Sequence, residues 1–206
     1  INTVLSILIL FPVLIILILS LKTTTEIRFD NFFSTFTLNN FFSIWDLEIR
    51  TNKNTFKQSF FNSLVVTSGT VILSIMINVL AGYAISLLKI PYKNFIFILL
   101  ILAFLIPIYS LISPLYILLY KIDLNDSYLG LIIIYTIYVL PIGFFLMFNS
   151  FNSIPKSLRE VAILNDSSEI QILFSIMLPL AIPGLITLII FAIYISWTCL
   201  LYTSPS

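Results

Sequence analysis

Histidine is absent from this sequence of 206 residues, and cysteine occurs only once. The lack of histidine removes the commonest metal ligand and the commonest general base, and one cysteine allows neither an intrachain disulfide nor a thiolate metal cluster. Charged residues make up 9% of the chain and hydrophobic residues 60%, against roughly 25% and about 45–50% in soluble domains. The net charge of +1 provides no basic field for nucleic acid. These absences argue against soluble enzymes and nucleic-acid binders, and the composition indicates an integral membrane protein.

Five apolar stretches are each long enough to cross a membrane as a helix. A helix needs about 20 predominantly apolar residues to cross the hydrocarbon core, and lipid leaves an open chain no other way to satisfy its backbone. The predicted spans are 3–21, 60–88, 95–120, 128–148 and 179–198. Pro107 and Pro114 interrupt the third span and Pro141 the fourth. Bent helices often line substrate paths, but proline is also frequent in membrane helices generally, so both interpretations stay open.

The ten basic and nine acidic residues all lie outside these five spans. Ion-driven carriers often place Asp, Glu or Lys inside the membrane to couple an ion to the substrate, and this sequence offers none there. It also contains no G-x-x-x-x-G-K-[ST] phosphate loop. If the chain takes part in active transport, we therefore expect the energy to come from a partner. Lys and Arg counts of six against four on the two sides do not fix the orientation.

Both ends of the chain are expected to be truncated. The sequence begins with Ile1 close to an apolar run. Residues 199–206 can be encoded by the transposon adapter used to build sequencing libraries, so native sequence is expected to stop near Thr198. The alternative is a genuine short polar tail, and sequencing the native DNA through Cys199 distinguishes the two.

The segment 149–178, between the last two spans, has helical character. Pro155 suits the first turn of a helix, and an apolar face comes after it at near-helical spacing. That face consists of Leu158, Val161, Ala162 and Leu164. The run Asn165-Asp166-Ser167-Ser168 is expected to break the helix, because Asn and Asp tolerate the left-handed conformation and Asp or Ser can cap the start of another helix. A second helix, 169–177, then leads into the last span.

The predicted element is a short helix-turn-helix along the membrane surface. It can serve as a knob for the groove of a partner, or it can be an amphipathic interfacial loop without a partner. The pattern alone leaves these two interpretations equally open.

Glu160-Val161-Ala162-Ile163-Leu164-Asn165-Asp166, followed by Ile176-Met177-Leu178-Pro179, resembles the EAA signature of permease subunits of binding-protein-dependent ABC importers. That signature reads Glu-Ala-Ala, three residues, Gly, nine residues, then Ile-x-Leu-Pro, and its spacing is kept throughout. Val161 replaces the first Ala, a small change on the expected packed face. Asp166 replaces Gly, and Asp visits the left-handed region more readily than most residues.

Other short segments resemble the carbohydrate branch of the same family, in particular the second permease of maltose-type transporters. They are Ser20-Leu21-Lys22, Phe36-Thr37-Leu38-Asn39-Asn40-Phe41, Phe61-Asn62-Ser63-Leu64, Ala81-Gly82-Tyr83-Ala84, Asp123-Leu124-Asn125-Asp126-Ser127-Tyr128-Leu129-Gly130 and Ser196-Trp197. Each match is short, but the matches follow the family's order and spacing, and the resemblance as a whole covers residues 1–198.

The resemblance implies an all-helical ABC importer permease (MetI-like) fold in the bacterial inner membrane, with a single transmembrane domain over 1–198 and usually six spans, the sixth beyond the end of this chain. It places 89–94 and 149–178 in the cytoplasm and 22–59 outside. The family's docking residues for an ATP-hydrolysing subunit fall on Glu160, Val161, Ala162, Asn165, Asp166, Ile176, Leu178 and Pro179.

Implied partners are an ATPase dimer, a second homologous permease, an extracytoplasmic sugar-binding protein and membrane lipid, with no nucleic acid. The chain itself would need no cofactor or metal and would do no chemistry, because the partner subunit binds ATP. The alternatives are a permease of another ABC branch, for peptides or amino acids, and, less favoured, an ion-coupled carrier or channel. The energy source distinguishes carriers from ABC permeases. Neither the sugar nor the substrate-contacting residues can be inferred from the sequence.

Overall fold

The computed structural model describes residues 2–22, 36–46, 56–88, 90–125 and 127–200, and all regular secondary structure in these ranges is helical. The helices are α1 (Asn2–Ser20), α2 (Asn39–Ser43), α3 (Phe56–Leu87), α4 (Lys93–Phe104), α5 (Ile108–Lys121), α6 (Tyr128–Asn152), α7 (Lys156–Leu164), α8 (Glu169–Ile172), α9 (Leu178–Leu180) and α10 (Ile182–Leu200). A 3₁₀ turn (Ile44–Asp46) follows α2, and a π-helical segment (Leu173–Met177) joins α8 to α9. The chain divides into two compact units, Ile1–Phe60 and Phe61–Pro205. Of the residues 199–206 that were predicted to derive from an adapter, 201–206 lie outside the described ranges, and 199 and 200 belong to α10.

In the first unit, a polar side chain caps the end of α1. The Asn40 side-chain amide donates hydrogen bonds to the backbone carbonyls of Ser20 (2.9 Å) and Lys22 (2.7 Å). The Thr37 amide donates to the Leu21 carbonyl at 2.8 Å. Carbonyls at a helix end have no partner within the helix, so these bonds satisfy the end of α1 and bring two of the family-like segments together.

Two helices of the described residues, α3 and α6, are each long and apolar enough to cross a membrane. A third candidate forms if the helices Glu169–Leu180 and Ile182–Thr198 count as one bent span, and the apolar helices Ile9–Ser20 and Lys93–Ala103 are shorter. Helices α1, α3 and α6 occupy nearly all of the predicted ranges 3–21, 60–88 and 128–148, respectively. The count of five spans stays a prediction.

The third predicted span, 95–120, is two helices rather than one. Helix α4 ends at Phe104 and α5 begins at Ile108, with Pro107 in an extended conformation between them. Pro107 lacks an amide hydrogen and disfavours helical geometry in the residue before it. Pro114 and Pro141, by contrast, lie inside the continuous helices α5 and α6.

The straight helix within the last predicted span, 179–198, begins at Ile182. The chain bends by 81° between Glu169–Leu180 and Ile182–Thr198, and Ala181 lies at the bend. Pro179 and Pro183 flank this position, and both lack the amide hydrogen that would continue the ladder. The π-helical segment, which ends two residues before Pro179, is another local departure from α-helical bonding. Residues 178–180 therefore continue the direction of α8.

Helix α6 lies at the centre of the second unit and packs against α4, α5 and α10. The main core cluster buries Met147 and Phe151 of α6 with Leu188 of α10 and also includes residues of α3, α7 and α8. Helix α3 approaches α6 closely, since a Cβ at Gly82 would lie 2.8 Å from the Met147 Cβ and 3.0 Å from the Phe148 amide nitrogen.

Candidate coupling site

Helix α7 begins and ends where the sequence signals predicted. Pro155 precedes its first residue in an extended conformation, and Asp166 has a left-handed backbone with φ of 57°. The Asp166 amide donates to the Ile163 carbonyl (3.0 Å) and the Ser167 amide to the Ala162 carbonyl (3.1 Å). This pair of bonds is a Schellman motif, which usually has glycine at the left-handed position. Asp166 thus adopts the geometry that the family's glycine would provide.

A capping box opens α8 immediately after this turn. The Ser168 hydroxyl accepts a hydrogen bond from the Gln171 amide (3.3 Å), and the Ser168 amide donates to the Gln171 side-chain oxygen (3.3 Å). Such reciprocal bonds satisfy two of the free donors at a helix start. Hydrogen bonds in the turn 165–168 therefore end α7 on one side and begin α8 on the other.

The eight predicted docking residues do not share one environment. Glu160, Val161, Asn165, Asp166 and Pro179 are exposed, Ile176 and Leu178 are half-buried, and Ala162 is buried. The prediction that position 161 lies on the packed face is wrong, because 56% of Val161 is exposed while only 6% of Ala162 is. The predicted apolar face of α7 is split. Leu158, Val161 and Leu164 point outwards, whereas Ala162 belongs to the core of this chain.

The outer face of α7 combines apolar surface with one free carboxylate. Leu164 is 83% exposed, and Ile170 and Phe174 extend the exposed apolar surface beyond the turn. Glu160 stands beside Val161 and makes no hydrogen bond or ion pair with any residue of the described ranges. We call Leu158, Glu160, Val161 and Leu164 the outer face of α7. It offers a partner both a charge and apolar area.

The inner side of the same hairpin holds a polar cluster that sequence reasoning missed. The Tyr83 hydroxyl of α3 donates a 2.6 Å hydrogen bond to a Glu169 carboxylate oxygen. Arg159 of α7 donates to the same carboxylate through Nε (3.3 Å) and through Nη2, which also forms an ion pair with it. Glu169 is the first residue of α8. We call Tyr83, Arg159 and Glu169 the joint, because they connect α3, α7 and α8.

The charges of the joint stabilise each other. Hydrogen bonds from the Arg159 guanidinium lower the pKa of the Glu169 carboxyl below its ordinary value against the opposing effect of partial burial, and the bond from Tyr83 adds to the lowering. The bond to Glu169 in turn raises the pKa of Arg159. A carboxylate at a helix start is also favoured by the helix dipole. The joint is therefore an ion pair between Arg159 and Glu169, and the Glu169 carboxylate also accepts a hydrogen bond from Tyr83 of α3.

Apolar packing surrounds the joint on its inner side. Tyr83 is 4% exposed, and its ring contacts the Phe151 ring edge to face at a centroid distance of 5.7 Å. Ala162 and Ile172 are buried in the same core cluster. Buried tyrosine hydroxyls usually find a partner, so Tyr83 in the segment Ala81-Gly82-Tyr83-Ala84 was the signal that the sequence offered for this site.

A different contact connects α3 to α6 near the beginning of both helices. The Tyr128 hydroxyl donates a 2.8 Å hydrogen bond to the Asn62 side-chain oxygen, and this pair is exposed. Asn62 and Tyr128 belong to two separate family-like segments. The structure brings those two segments together, as it does with the segments around Ser20 and Asn40.

The described residues contain no group of three or more His, Cys, Asp or Glu side chains that could hold a metal ion. The site consists of an exposed face on α7 and a hydrogen-bonded connection from the same hairpin to α3.

Comparisons with known proteins identify the family of this chain. Residues 74–203 match the family described as binding-protein-dependent transport system inner membrane component. The chain is 34% identical over 137 residues to the sulfoquinovosyl glycerol transport system permease protein SmoH of Agrobacterium fabrum, which covers 66% of this chain and 48% of that protein. It is 30% identical over 193 residues to the trehalose transport system permease protein SugB of Mycobacterium tuberculosis, which covers 93% of this chain and 68% of that protein. The matched part of this chain thus spans between about half and two thirds of these relatives.

A solved structure shows the same fold. A chain from a bacterial ABC transporter involved in the import of the acidic polysaccharide alginate matches with a TM-score of 0.74 and 21% sequence identity. The match covers 95% of this chain and 68% of that one. The expectation of an all-helical ABC importer permease fold is confirmed. Because the family match covers more than half of the sequence, the chain belongs to the binding-protein-dependent transport system inner membrane components, as a multi-pass helical membrane protein.

Proposed function

We propose that this chain is the permease subunit of an ATP-driven sugar importer and that it lines part of the translocation path. The support is the family membership together with the names of its relatives. Besides the two described above, a diacetylchitobiose uptake permease of Streptomyces coelicolor is 27% identical and an arabinooligosaccharide transport permease of Halalkalibacterium halodurans is 31% identical. A machine of this type also contains two ATPase subunits, a second permease and an external binding protein.

The outer face of α7 is the surface that docks onto an ATPase subunit. An exposed amphipathic helix presenting anchors at helical spacing is a recurrent form of helix-in-groove recognition. Leu158, Val161 and Leu164 follow each other at three-residue spacing, and all are exposed. Glu160 adds an unpaired charge for a basic partner residue. Asn165 and Asp166 fix the turn, while Ile176, Leu178 and Pro179 connect the docking hairpin to α10.

Uptake by the reconstituted transporter tests this function. The chain is co-expressed with its ATPase, second permease and binding protein, and proteoliposomes are supplied with radiolabelled trehalose, diacetylchitobiose or arabinooligosaccharides. We expect uptake of at least one sugar that needs ATP on the cytoplasmic face and is insensitive to ionophores. Uptake abolished by ionophores, or uptake that ignores ATP, contradicts the proposal.

Replacing Glu160 with lysine tests the docking surface. Glu160→Lys is expected to abolish ATP-driven uptake while the protein remains in the membrane, because it reverses the free charge of the outer face. Lys121→Glu, which also reverses an exposed charge but on α5, is the matched control and should transport normally. Equal uptake by wild type and Glu160→Lys would count against docking through this face.

A further inference from the structure

The joint lies directly behind the outer face of α7. Arg159 and Ala162 are three residues apart on the inner side of this helix, whereas Glu160 and Val161 between them point outwards. A force applied to the outer face by a docked subunit therefore acts on a short helix whose opposite side is held by Glu169 and by core packing.

Covalent connections carry such a force to only some of the long helices. Residues 153–155 connect α7 backwards to α6, and the turn, α8, the π-helical segment and α9 connect it forwards to α10. Helix α3 is distant in sequence, since Tyr83 and Glu169 are 86 residues apart. Non-covalent contacts must therefore connect the hairpin to α3.

The joint has properties that apolar contacts lack. The hydrophobic effect is not directional, whereas a hydrogen bond has a preferred distance and angle. Bonds to a charged group are also roughly twice as strong as neutral ones. In the joint, one carboxylate accepts donors from two different helices and is itself the first residue of a third.

We propose that Tyr83, Arg159 and Glu169 are positioning residues that make the end of α3 move together with the α7–α8 hairpin when the docked ATPase subunits close. This inference rests on the proposed function and adds a route by which the movement reaches a helix not adjacent in sequence. Arg159 and Glu169 hold the two halves of the hairpin together across the turn. Tyr83 then connects the paired halves to α3. Losing the Tyr83 bond leaves the hairpin intact but disconnects this polar route.

The ratio of sugar taken up to ATP hydrolysed is the first quantity to measure. It is determined in proteoliposomes containing the whole transporter, with the labelled sugar that wild type takes up. Tyr83→Phe keeps the ring and its contact with Phe151 but removes the hydroxyl, and we expect the ratio to fall about fivefold, as for loss of one ordinary hydrogen bond. Glu169→Ala removes every bond of the joint and should lower the ratio further. Glu169→Gln retains an acceptor oxygen and should give an intermediate value.

Tyr128→Phe is the matched control. It removes the same chemical group from a hydrogen bond that also involves α3, but at the exposed Asn62 pair. We expect its ratio to equal that of wild type. Each variant must co-purify with the ATPase in wild-type amounts, because a merely structural defect would reduce assembly rather than the ratio.

Distances between spin labels provide a second readout that does not require a sugar. Labels are attached at Lys156→Cys on α7 and Leu80→Cys on α3, both exposed positions, with Cys199 replaced by Ser. In the otherwise wild-type joint, we expect one narrow distance distribution that is the same without nucleotide and with ATP plus vanadate. In Tyr83→Phe we expect a broader distribution that shifts between these states.

The two readouts separate the possible failures. If wild type shows no ATP-driven sugar uptake, the proposed function is wrong, and the spin-label distances in the purified assembly still test the joint. If wild type transports sugar but Tyr83→Phe keeps both the wild-type ratio and the narrow, unchanged distribution, the joint does not position α3 and this inference is overturned.

Discussion

Two polar contacts of α3, one near its beginning and one near its end, differ in almost every physical respect. Near its beginning, Asn62 accepts one exposed, uncharged hydrogen bond from Tyr128. Near its end, the buried Tyr83 donates to Glu169, which is also paired with Arg159. Gly82 additionally lets the backbones of α3 and α6 approach closely at that end. The first contact is thus a solvent-accessible neutral bond, whereas the second combines charge with close packing and a ring contact.

The firmer of the two contacts is therefore the one that connects α3 to the α7–α8 hairpin. An exposed neutral hydrogen bond competes with water and contributes little net free energy, so the Asn62 pair can open at low cost. The end at Tyr83 loses packing, a hydrogen bond and part of an ion-pair network if it separates. In the proposed importer the firm end of α3 is the driven end, which suits alternating access because that requires movement of one part of the bundle against another.

The largest loss of stability is expected from Gly82→Ala, at the end of α3 that carries Tyr83. The added methyl group would press on the Met147 Cβ and on backbone atoms of α6, which cannot rotate away, and overpacking of this kind costs about 1–3 kcal/mol. Thermal unfolding of the purified protein in detergent measures the loss. Gly69→Ala on the same helix meets only the Ile132 side chain, whose Cδ1 would lie 2.5 Å away and can change rotamer. If both substitutions lower the melting temperature equally, the close approach at Gly82 is not important.

A smaller difference is expected between the two tyrosines. Tyr83→Phe should lower the free energy of unfolding by about 1 kcal/mol, below the ~1.5–3 kcal/mol of bonds to charged groups, because the Glu169 side chain is 43% exposed. Tyr128→Phe should change it by less than about 0.5 kcal/mol, as for other surface substitutions. Chemical denaturation of the two variants measures both changes. A larger loss of unfolding free energy in Tyr128→Phe than in Tyr83→Phe would reverse the ranking of the two contacts.

The contribution of the joint should also depend on pH. Since the pKa of Glu169 is lowered in the folded protein, its stabilisation is complete above the unfolded-state value of about 4.3 and disappears as the pH falls through the lower folded-state pKa. The difference in melting temperature between wild type and Glu169→Gln should therefore shrink below about pH 4.3. Melting curves recorded over this acid range test the sign. A difference that grows towards low pH would show that Glu169 is not stabilised as a carboxylate.

Glycine substitutions at the two left-handed aspartates are expected to have the smallest effects. Asp166 (φ 57°) and Asp123 (φ 54°) lie in turns after α7 and α5. Glycine adopts this geometry freely but has more conformational entropy to lose on folding, so Asp→Gly should change stability by no more than about 0.5 kcal/mol. Alanine lacks both the freedom of glycine and a polar side chain, and Asp166→Ala should cost about 1 kcal/mol more than Asp166→Gly. Equal melting temperatures for the Ala and Gly variants would show that the left-handed geometry carries no strain.

Local patterns predicted much of the fold. Apolar runs located α3 and α6, and the Asn165-Asp166-Ser167-Ser168 run located the stop of α7 and the start of α8. These features depend on residues close in sequence, so one segment contains the whole signal. Pro107, Pro114 and Pro141 gave the same sequence signal, yet only Pro107 lies between two helices. Whether the helix continues past a proline depends on the packing around it, which no local pattern contains.

The candidate site was less accessible to sequence reasoning. Helical spacing groups Leu158, Val161, Ala162 and Leu164 as apolar residues, but it does not say on which side the core lies. That is decided by α6 and α8, and it separates the buried Ala162 from the exposed Val161. The joint depends on a contact between residues 86 positions apart. The pattern of any one helix shows only a tyrosine, an arginine or a glutamate, and not that the three side chains meet.

Photo-crosslinking from the outer face of α7 tests the central claim most directly. A benzophenone side chain is introduced at Leu164, and at the exposed Tyr116 of α5 as the control, in the assembled transporter. Illumination should produce an adduct between this chain and the ATPase subunit from position 164 and none from position 116. If position 164 yields no ATPase adduct, or no more than position 116 does, the outer face of α7 is not the docking surface and the account of coupling through the hairpin is wrong.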